Sequence, residues 1–477
     1  MYIAAAALLA ACGSDSPPRT ALDDLVDDYE DGVISRDEFR DAIAAYEDNA
    51  LPLQLVDDFA ETTLLKPRGA PYTIGADLSV SRGAILVIQG GVEIVLGPDV
   101  NLNVNGRIYA VGAQDNTVLI RAEAPGRYGQ IGINGGPNQL VWVELDRGTR
   151  SIDVRHSFDT HTLVESARFD AWGDLAIAQV GSSNLHVLRS QFGYQTAEED
   201  VAGETVRTRQ SGVIIIEEST FNYRRGYRDV LDLQDCVEGY WPVIIHNRFD
   251  GGEDDAVDLD SCSAFVIGNR ISNFTPLDLD AMVAGVNGGG VTGDQPRSKP
   301  VILNNVIDNC YHGIGFKNGA RPIILNNTIT NSNIGITLYQ SKQTEAQPHG
   351  IVINNVLVGN VGWQNGGEPQ EIILNGKWWP SYNQVDDVQA TIDARYNITA
   401  TLPTPYPGEG NINDDPLLEV VDGVPVPGAG SPAIDSGLGD LVFEDAPMQD
   451  ILEYLSTDVV GTPRALPTID RGAVEVP

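Results

Sequence analysis

The sequence has few basic residues. Among its 477 residues, lysine and arginine number 30, whereas aspartate and glutamate number 67, and the formal net charge is −37. A chain this acidic repels the phosphates of nucleic acids, so we exclude nucleic acid as a partner. Only five of the basic residues are lysines, which makes the location of each lysine informative.

The sequence also lacks a dominant helical repeat and any apolar run long enough to span a bilayer. Its opening apolar run is too short to do so. The opening run, "MYIAAAALLAAC", is typical of the end of a secretory signal. Its last four residues, "LAAC", resemble the lipobox of bacterial lipoproteins, in which the cysteine becomes the lipidated N-terminus. The resemblance implies a protein of the bacterial cell envelope, attached to the outer membrane only through lipid on Cys12, or extracellular. A chance cysteine after an apolar start is the alternative.

The polar and acidic segment 13–60 contains a stretch, "DDYEDGVISRDEF", that resembles an EF-hand calcium loop. Asp27, Gly32 and Glu38 stand at its first, sixth and twelfth positions. Tyr29 stands at the third position, where an oxygen ligand is expected. Calcium binding and an acidic amphipathic helix with a turn both stay open, and we interpret the segment as a degenerate EF-like tether.

A short phrase ending in an aromatic or aliphatic residue recurs at spacings of 23, 29, 28, 22, 36, 22 and 28 residues. The recurring residues are Phe169, Phe192, Phe221, Phe249, Ile271, Ile307, Ile329 and Leu357. A base period near 22 with insertions is typical of a solenoid with loops on one side. Because such coils are rich in β-branched residues and too short for a strand–helix unit, we predict three short strands in each coil.

Five asparagines precede the later phrases at the same position: Asn247, Asn269, Asn305, Asn327 and Asn355. Coils of strands stack about 4.8 Å apart, so equivalent residues form columns in which buried amides satisfy one another. This pattern resembles the right-handed parallel β-helix of the pectate-lyase-like superfamily, an all-β fold. A β-propeller is the alternative, but its blades need about 40 residues.

We therefore divide the chain into a signal with its lipidated cysteine (1–12), the tether (13–60), the β-helix (61–400) and a tail (401–477). The tail contains "GAGSPAIDSG" and "GTPRALPTIDRGAVEV", which resemble a segment that follows many secreted bacterial β-helices. We expect it to cap the open end of the solenoid, where strand edges would otherwise be exposed.

Acids are densest in two adjacent coils, "RDVLDLQDC" and "DDAVDLDSC". Aligning them places Asp229 over Asp255 and Asp232 over Asp258. Carboxylates that close together take up protons or share a cation, and oxygen ligands suit Ca²⁺ best. A solvated acidic face is the alternative. The same alignment stacks the two cysteines that end these stretches, which permits either a disulfide or a pair of thiols.

The acidic motifs resemble those of polysaccharide lyase family nine. "EDDAVDL" resembles its Asp-Asp-Gly-x-Asp-Leu, "RDVL" its Ala-Asp-Gly-Phe, and "GIGFKNG" its Gly-Asn-Gly-Phe-Lys-x-Gly. The resemblance implies calcium ligands at Asp229, Asp254, Asp255 and Asp258 and a catalytic base at Lys317.

Val230 and Ala256 depart from this family because they replace motif glycines, and residues 277–300 form an extra stretch before the lysine. Aligning the Gly-Ile pairs puts Lys317 on the column of Asp260, about two coils beyond the acids. The implied chemistry is β-elimination: the base removes the C5 proton of a uronate while calcium neutralises the carboxylate. A lysine that only pairs with the acids is the alternative.

Four further residues are candidates for binding the substrate. Arg297 and Arg321 would bind the carboxylates of the substrate. Trp378 and Trp379 in "GKWWPSYN" would stack on its sugar rings. Exposed loop arginines and a loop packed on the solenoid wall are the alternatives.

We consider three functions for this chain, which we expect to be a monomer. The first is a cell-surface, calcium-dependent polysaccharide lyase whose partner is an acidic polysaccharide. The second is a non-catalytic surface lipoprotein with structural calcium that binds a glycan or a partner. The third, a glycoside hydrolase with paired carboxylates, ranks last because "YHG" is followed by no convincing Arg-x-Lys motif.

The lipobox predicts a mature protein that begins at Cys12 with attached acyl chains. The variant Cys12→Ser should move the protein from the membrane fraction to the soluble fraction on cell fractionation. Mass spectrometry that finds residues 1–11 intact on the mature protein would contradict this prediction.

Overall fold

The computed structural model describes most of the chain. The described residues are 20–46, 51–155, 161–193, 204–210, 212–222, 228–276, 289–294, 298–339, 347–362, 367–374, 390–443, 447–464 and 467–477. Helices within these ranges are Ala21–Glu30, Arg36–Ala45 and Met448–Leu455. None of the described helices is long and apolar enough to cross a membrane.

Successive coils each place one strand in each of three parallel sheets, which we name A, B and C in the order in which the chain visits them from Tyr72 onward. The sheets contain 14, 12 and 13 strands, respectively, and each strand pairs with its equivalents one coil before and one coil after. The architecture is a right-handed parallel β-helix. The all-β solenoid predicted from the recurring phrase is therefore confirmed.

The strands of each sheet have the following bounds. Sheet A contains Gln54–Leu55, Tyr72–Ile74, Glu93–Leu96, Val118–Ala122, Val143–Asp146, Arg168–Asp170, Gln191–Phe192, Thr220–Asn222, Arg248–Gly252, Arg270–Phe274, Val306–Asp308, Thr328–Thr330, Val356–Val358 and Ile398–Thr399. Sheet B contains Leu78–Val80, Leu102–Val104, Tyr128–Ile133, Gly148–Arg155, Leu175–Val180, Glu204–Arg209, Leu231–Gln234, Val257–Asp260, Gly289–Asp294, His312–Lys317, Ile334–Tyr339 and Ile372–Leu374. Sheet C contains Thr63–Leu65, Ile85–Gln89, Arg107–Val111, Asn138–Val141, His161–Glu165, Asn184–Leu188, Ile214–Glu217, Val243–Ile245, Phe265–Ile267, Val301–Leu303, Ile323–Leu325, His349–Ile353 and Thr391–Arg395. Three short antiparallel pairs complete the described strands: Val361–Gly362 with Glu368–Pro369, Leu418–Val421 with Val424–Pro427, and Gly437–Leu438 with Thr468–Ile469.

The recurring apolar residues line the inside of sheet A. Phe169, Phe192, Phe221 and Phe249 are buried and stack face to face, with ring centroids 4.6–4.7 Å apart. Buried aliphatic residues continue the column in the later coils. Because the coil spacing matches the spacing of stacked rings, one phenylalanine in each coil builds a continuous apolar core.

The asparagine ladder lies at the turn from sheet C to sheet A and is longer than predicted. It joins the five predicted asparagines to Asn397 and Asn411. The backbone N–H of each asparagine donates to the side-chain oxygen of the next at 2.7–2.9 Å. Each side-chain amide also donates to that oxygen and to a carbonyl of the preceding coil, as Asn305 does to Val266. The ladder thereby satisfies the backbone where the chain bends.

The segment expected to be a tether packs against the solenoid instead. Its two helices begin with capping boxes at Thr20 and Ser35, and their apolar faces form a cluster with the outer face of sheet C. Arg107 donates to Glu30 at 2.7 Å and to Asp27 at 3.1 Å. The sequence pattern of this segment did not reveal the apolar face of sheet C that the two helices cover. Its role as a tether stays a prediction.

Both ends of the EF-like loop have other hydrogen-bond partners. Asp27 binds Arg107, and the carboxylate of Glu38 accepts the N–H of Ser35 at 2.7 Å as the cap of its own helix. These contacts satisfy two of the carboxylates that an EF-hand would direct at calcium.

Much of the C-terminal tail lies along the side of the solenoid rather than across its open end. Leu441, Ile451 and Ile469 pack with others onto the outer face of sheet C, and Val474 packs near Val306 of sheet A. Covering these outward apolar residues explains why the tail runs back along the coils.

Removing one rung of the asparagine ladder should destabilise the fold. Asn305→Ala leaves the buried N–H groups of Asn269 without the acceptor Oδ1 and removes the side-chain amide that donates to the Val266 carbonyl. We expect the free energy of unfolding to fall by about 2–4 kcal/mol in chemical denaturation. The control Asn222→Ala, at an exposed position of sheet A, should change it by less than about 0.5 kcal/mol. Equal stability of the two variants would contradict the role of the ladder.

Candidate metal centre

The acidic residues occupy the outer face of sheet B in two neighbouring coils. The strands Leu231–Gln234 and Val257–Asp260 pair in parallel, with Asp232 opposite Asp258. Their alternate residues are buried leucines and valines of the core, so the period of two along a strand turns the acids outward. The register predicted by aligning the two acidic stretches is confirmed.

The carboxylates gather into two groups that share Asp229. One group contains Asp229, Asp254 and Asp255, the other Asp229, Asp232 and Asp258, and within each group one oxygen from every residue lies within 4.8 Å of the others. All four residues implied as calcium ligands therefore lie in the cluster. Asp232 is an addition: its place over Asp258 was evident from the sequence, but the family resemblance gave it no role.

The cluster is electrostatically strained when all of its members are charged. Burial raises the pKa of Asp229 well above its usual value, and the nearby carboxylates of Asp254 and Asp258 raise it further. Burial likewise raises the pKa of Asp258, with further contributions from Asp260 and Asp255. A divalent cation among these oxygens would remove the strain, as would protons.

Hydrogen bonds from the protein orient the carboxylates. The hydroxyl of Thr292 donates to Asp255 at 2.6 Å and lies 3.3 Å from an oxygen of Asp258. The backbone N–H of Asp255 donates to Asp229 at 3.2 Å. Thr292 lies opposite Asp258 in the next coil, in a stretch that the family motifs do not cover, so the sequence gave no signal for its role.

Arg207 lies beside the cluster on the side of the preceding coil. Arg207, in the coil before Asp232, donates to its Oδ2 at 3.2 Å and also pairs with Glu204. The other oxygen of Asp232, Oδ1, is buried and has no hydrogen-bond partner among the described residues. An orphaned carboxylate oxygen within an oxygen-only cluster fits a hard cation such as Ca²⁺.

Lys317 ends the strand His312–Lys317 of sheet B. Asp260 lies opposite Asp294, and Gly293 lies opposite Phe316, so Lys317 falls on the column of Asp260 two coils further on. This placement agrees with the alignment of the Gly-Ile pairs, and two coils correspond to about 10 Å.

The charge of Lys317 acts on its neighbours. Its ammonium opposes the rise in the pKa of Asp258. Burial, with a smaller contribution from Lys317, lowers the pKa of His312 to about 3. The lysine and the acid cluster therefore belong to one electrostatic neighbourhood.

Arg321 lies apart from the acids. Asn318 and Gly319 adopt positive φ angles that turn the chain from sheet B to sheet C, and Arg321 follows this turn and lines a cavity on the sheet C side. The remaining predicted site residues, Cys12, Arg297, Trp378 and Trp379, lie outside the described residues.

A disulfide joins the two acidic coils just beyond their strands. It links Cys236 to Cys262, whose Cα atoms are 4.9 Å apart. Of the two possibilities left open by the sequence, the structure contains the disulfide. This bond fixes the two coils that carry the acids relative to each other.

One family model agrees with the fold. The family model described as "Right handed beta helix region" matches residues 235–366. Among solved structures, the chain is similar to the "Crystal structure of pectate lyase Pel9A", with 13% identity and a TM-score of 0.36 over 92% of this chain and 91% of that chain. No curated protein matches the chain at a significant level.

Calcium should raise the melting temperature of the wild type above its value in chelator. At a hundredfold excess over Kd, bound calcium adds about 2.7 kcal/mol. Asp258→Asn should lose this gain, yet melt no lower than the wild type in chelator because it removes a repelling charge. The measurement is thermal melting with calcium and with chelator.

The matched control for that measurement is Asp235→Asn. Asp235 is exposed, lies close to the acid cluster in the chain, and belongs to neither carboxylate group, so its variant should keep the full calcium response. Identical melting of the wild type in calcium and in chelator would exclude the site.

Proposed function

We propose that the protein is a calcium-dependent polysaccharide lyase that cleaves uronate-containing glycans by β-elimination at the cell surface. The observation that supports this proposal most is the presence of one lysine on the outer face of sheet B, two coils from a carboxylate cluster that fits calcium. Neither feature alone indicates a lyase. Together they supply the two groups that the elimination needs.

In this mechanism, Asp229, Asp254, Asp255 and Asp258 hold the cation, with Asp232 beside them. The bound calcium would supply Lewis-acid neutralisation of the uronate carboxylate, which acidifies the proton at C5. Thr292 orients Asp255 through its hydroxyl.

Lys317 would act as the base. In its neutral form, its Nζ takes the C5 proton, the electron pair of that C–H bond forms a double bond between C4 and C5, and the bond from C4 to the glycosidic oxygen breaks. The released oxygen then takes a proton from solvent. A base within reach of the proton contributes about 10²–10⁴-fold to the rate.

Small side chains next to Lys317 favour access for a sugar. Beyond Asp258, the outward column carries Thr292 and then Gly315 in the next two coils. A glycine leaves space on the sheet surface where a larger side chain would project. A pyranose ring lying along this column would have its carboxylate toward the acids and its C5 toward the lysine.

The charge of the whole chain works against an anionic substrate. With a net charge of −37, approach of a polyuronate depends on screening by salt and on the positive charge that calcium brings to the cluster. We therefore expect activity to require both calcium and moderate ionic strength.

A non-catalytic, calcium-stabilised scaffold is the second candidate. It is favoured by the attraction between Lys317 and Asp258, since a lysine that serves as a counter-charge to buried acids need not be a base. The hydrolase hypothesis is weaker still, because His312 of "YHG" is buried, with 2% of its surface exposed.

Substituting Lys317 distinguishes the enzyme from the scaffold. With calcium and a panel of uronate polymers, Lys317→Ala should lower the rate of formation of the unsaturated product, followed by absorbance, by at least about 100-fold. Lys317→Arg should be almost as inactive because a guanidinium does not give up its proton. Both variants should keep the calcium-dependent melting of the wild type.

Two results would count against the lyase. A fully active Lys317→Ala variant would exclude this residue as the base. A wild type that forms no unsaturated product from any polymer of the panel would favour the scaffold.

A further inference from the structure

The cavity that Arg321 lines lies on the outer face of sheet C, away from the acid cluster on sheet B. Its volume is about 260 Å³, and the C-terminal tail forms one of its walls. Its lining residues include basic, aromatic and aliphatic side chains and one aspartate. None of the acids of the candidate metal centre is among them.

The charge of this cavity is opposite to that of the chain. Lysine, arginine and histidine contribute four of its lining side chains, and Asp393 is the single acid. In the whole chain, acids outnumber lysine and arginine by 67 to 30. A local excess of cations in so acidic a protein favours an anionic ligand at this place.

Three of the basic residues belong to consecutive coils. Val301 lies opposite Ile323, and Ile323 opposite Ile351; two residues earlier in each coil stand Lys299, Arg321 and His349. The three therefore form a column with a spacing of about 4.8 Å at the corner where sheet C begins. Such a row presents two positive groups, Lys299 and Arg321, in adjacent coils, followed by the imidazole of His349.

Arg395 adds a donor from the next coil of sheet C. One of its terminal nitrogens pairs with Asp393 at 3.1 Å. Its Nε is buried and has no hydrogen-bond partner among the residues that the structure describes. The Nε is out of reach of a ligand in the cavity, but 32% of the Arg395 side chain is exposed, so its terminal nitrogens can donate to an incoming carboxylate.

The remaining wall is aromatic and apolar. Trp241 is partly buried and packs against Phe265, with ring centroids 5.2 Å apart, and Ile323, Ile351 and Phe443 extend this wall. An indole face accommodates the C–H face of a sugar ring, whereas a small inorganic anion gains nothing from it. The combination selects a ligand that has both a ring and a negative charge.

We propose that this cavity binds a carboxylated saccharide, with Arg321, Lys299 and Arg395 binding carboxylate groups and Trp241 contacting a ring. The site is separate from the candidate metal centre and requires neither calcium nor cleavage. It would retain an acidic glycan on the flank of the solenoid whether or not the acid cluster acts on it.

Titration calorimetry with tetragalacturonate, in the presence of a chelator, tests the site. The wild type should bind it, and neutral galactotetraose of the same length should not bind. Arg321→Gln and Lys299→Gln should each weaken binding about tenfold, as expected for the loss of one charge-assisted hydrogen bond. Binding should weaken in molar salt.

Two controls separate this site from the rest of the molecule. Arg82→Gln removes the same charge from an exposed position in an early coil and should leave the affinity unchanged. Lys317→Ala should also bind normally, so loss of lyase activity and loss of this site are distinguishable. Arg321 is exposed, and melting should confirm that its variant folds.

Three results would overturn the proposal. They are a wild type that does not bind tetragalacturonate, equal affinity for the neutral and the acidic oligosaccharide, and equal affinity of Arg321→Gln and Arg82→Gln for tetragalacturonate.

Discussion

The apolar core, the asparagine ladder and the acid cluster all depend on the parallel stacking of coils. Each strand lies about 4.8 Å from its equivalent in the next coil, so a residue repeated at one position contacts its own copy. For an aromatic ring or an amide this repetition is favourable, and Phe192 and Asn305 show both cases. For a carboxylate it is unfavourable, because like charges are brought together at the same short spacing. Repeated apolar and amide residues therefore stabilise the fold, and repeated acids destabilise it.

The acids of sheet B are tolerated because several other groups offset their repulsion. Arg207 neutralises Asp232 from one side, Thr292 donates to Asp255, and a disulfide fixes the two coils. These contacts still leave Asp229 and Asp258 with strongly raised pKa values. A cation shared by the cluster would remove the remaining imbalance, and the oxygen ligands concentrated on this face could hold one. The same face carries Lys317, which connects the stability of the cluster to its proposed chemistry.

Much of this arrangement was predictable from the sequence because a solenoid converts sequence period directly into spatial register. The stacking of Asp232 on Asp258 and the position of Lys317 followed from alignment of short phrases. Contacts on the outer surface were not predictable in this way. The N-terminal helices and the C-terminal tail have no repeat that indicates which sheet they cover. Arg321 was a candidate for binding the substrate, but the turn at Asn318 and Gly319 places it on the sheet C side rather than beside the acids. Distance along the sequence does not show such a change of face.

The central claim is that the carboxylates on sheet B share a calcium ion rather than protons. A crystal structure of the protein grown with calcium tests it most directly. We predict a density peak among Asp229, Asp254, Asp255 and Asp258 with six to eight oxygen ligands at about 2.3–2.6 Å, as calcium requires. A structure without such a peak, in which pairs of these carboxyl groups instead share protons through short hydrogen bonds, would contradict the account.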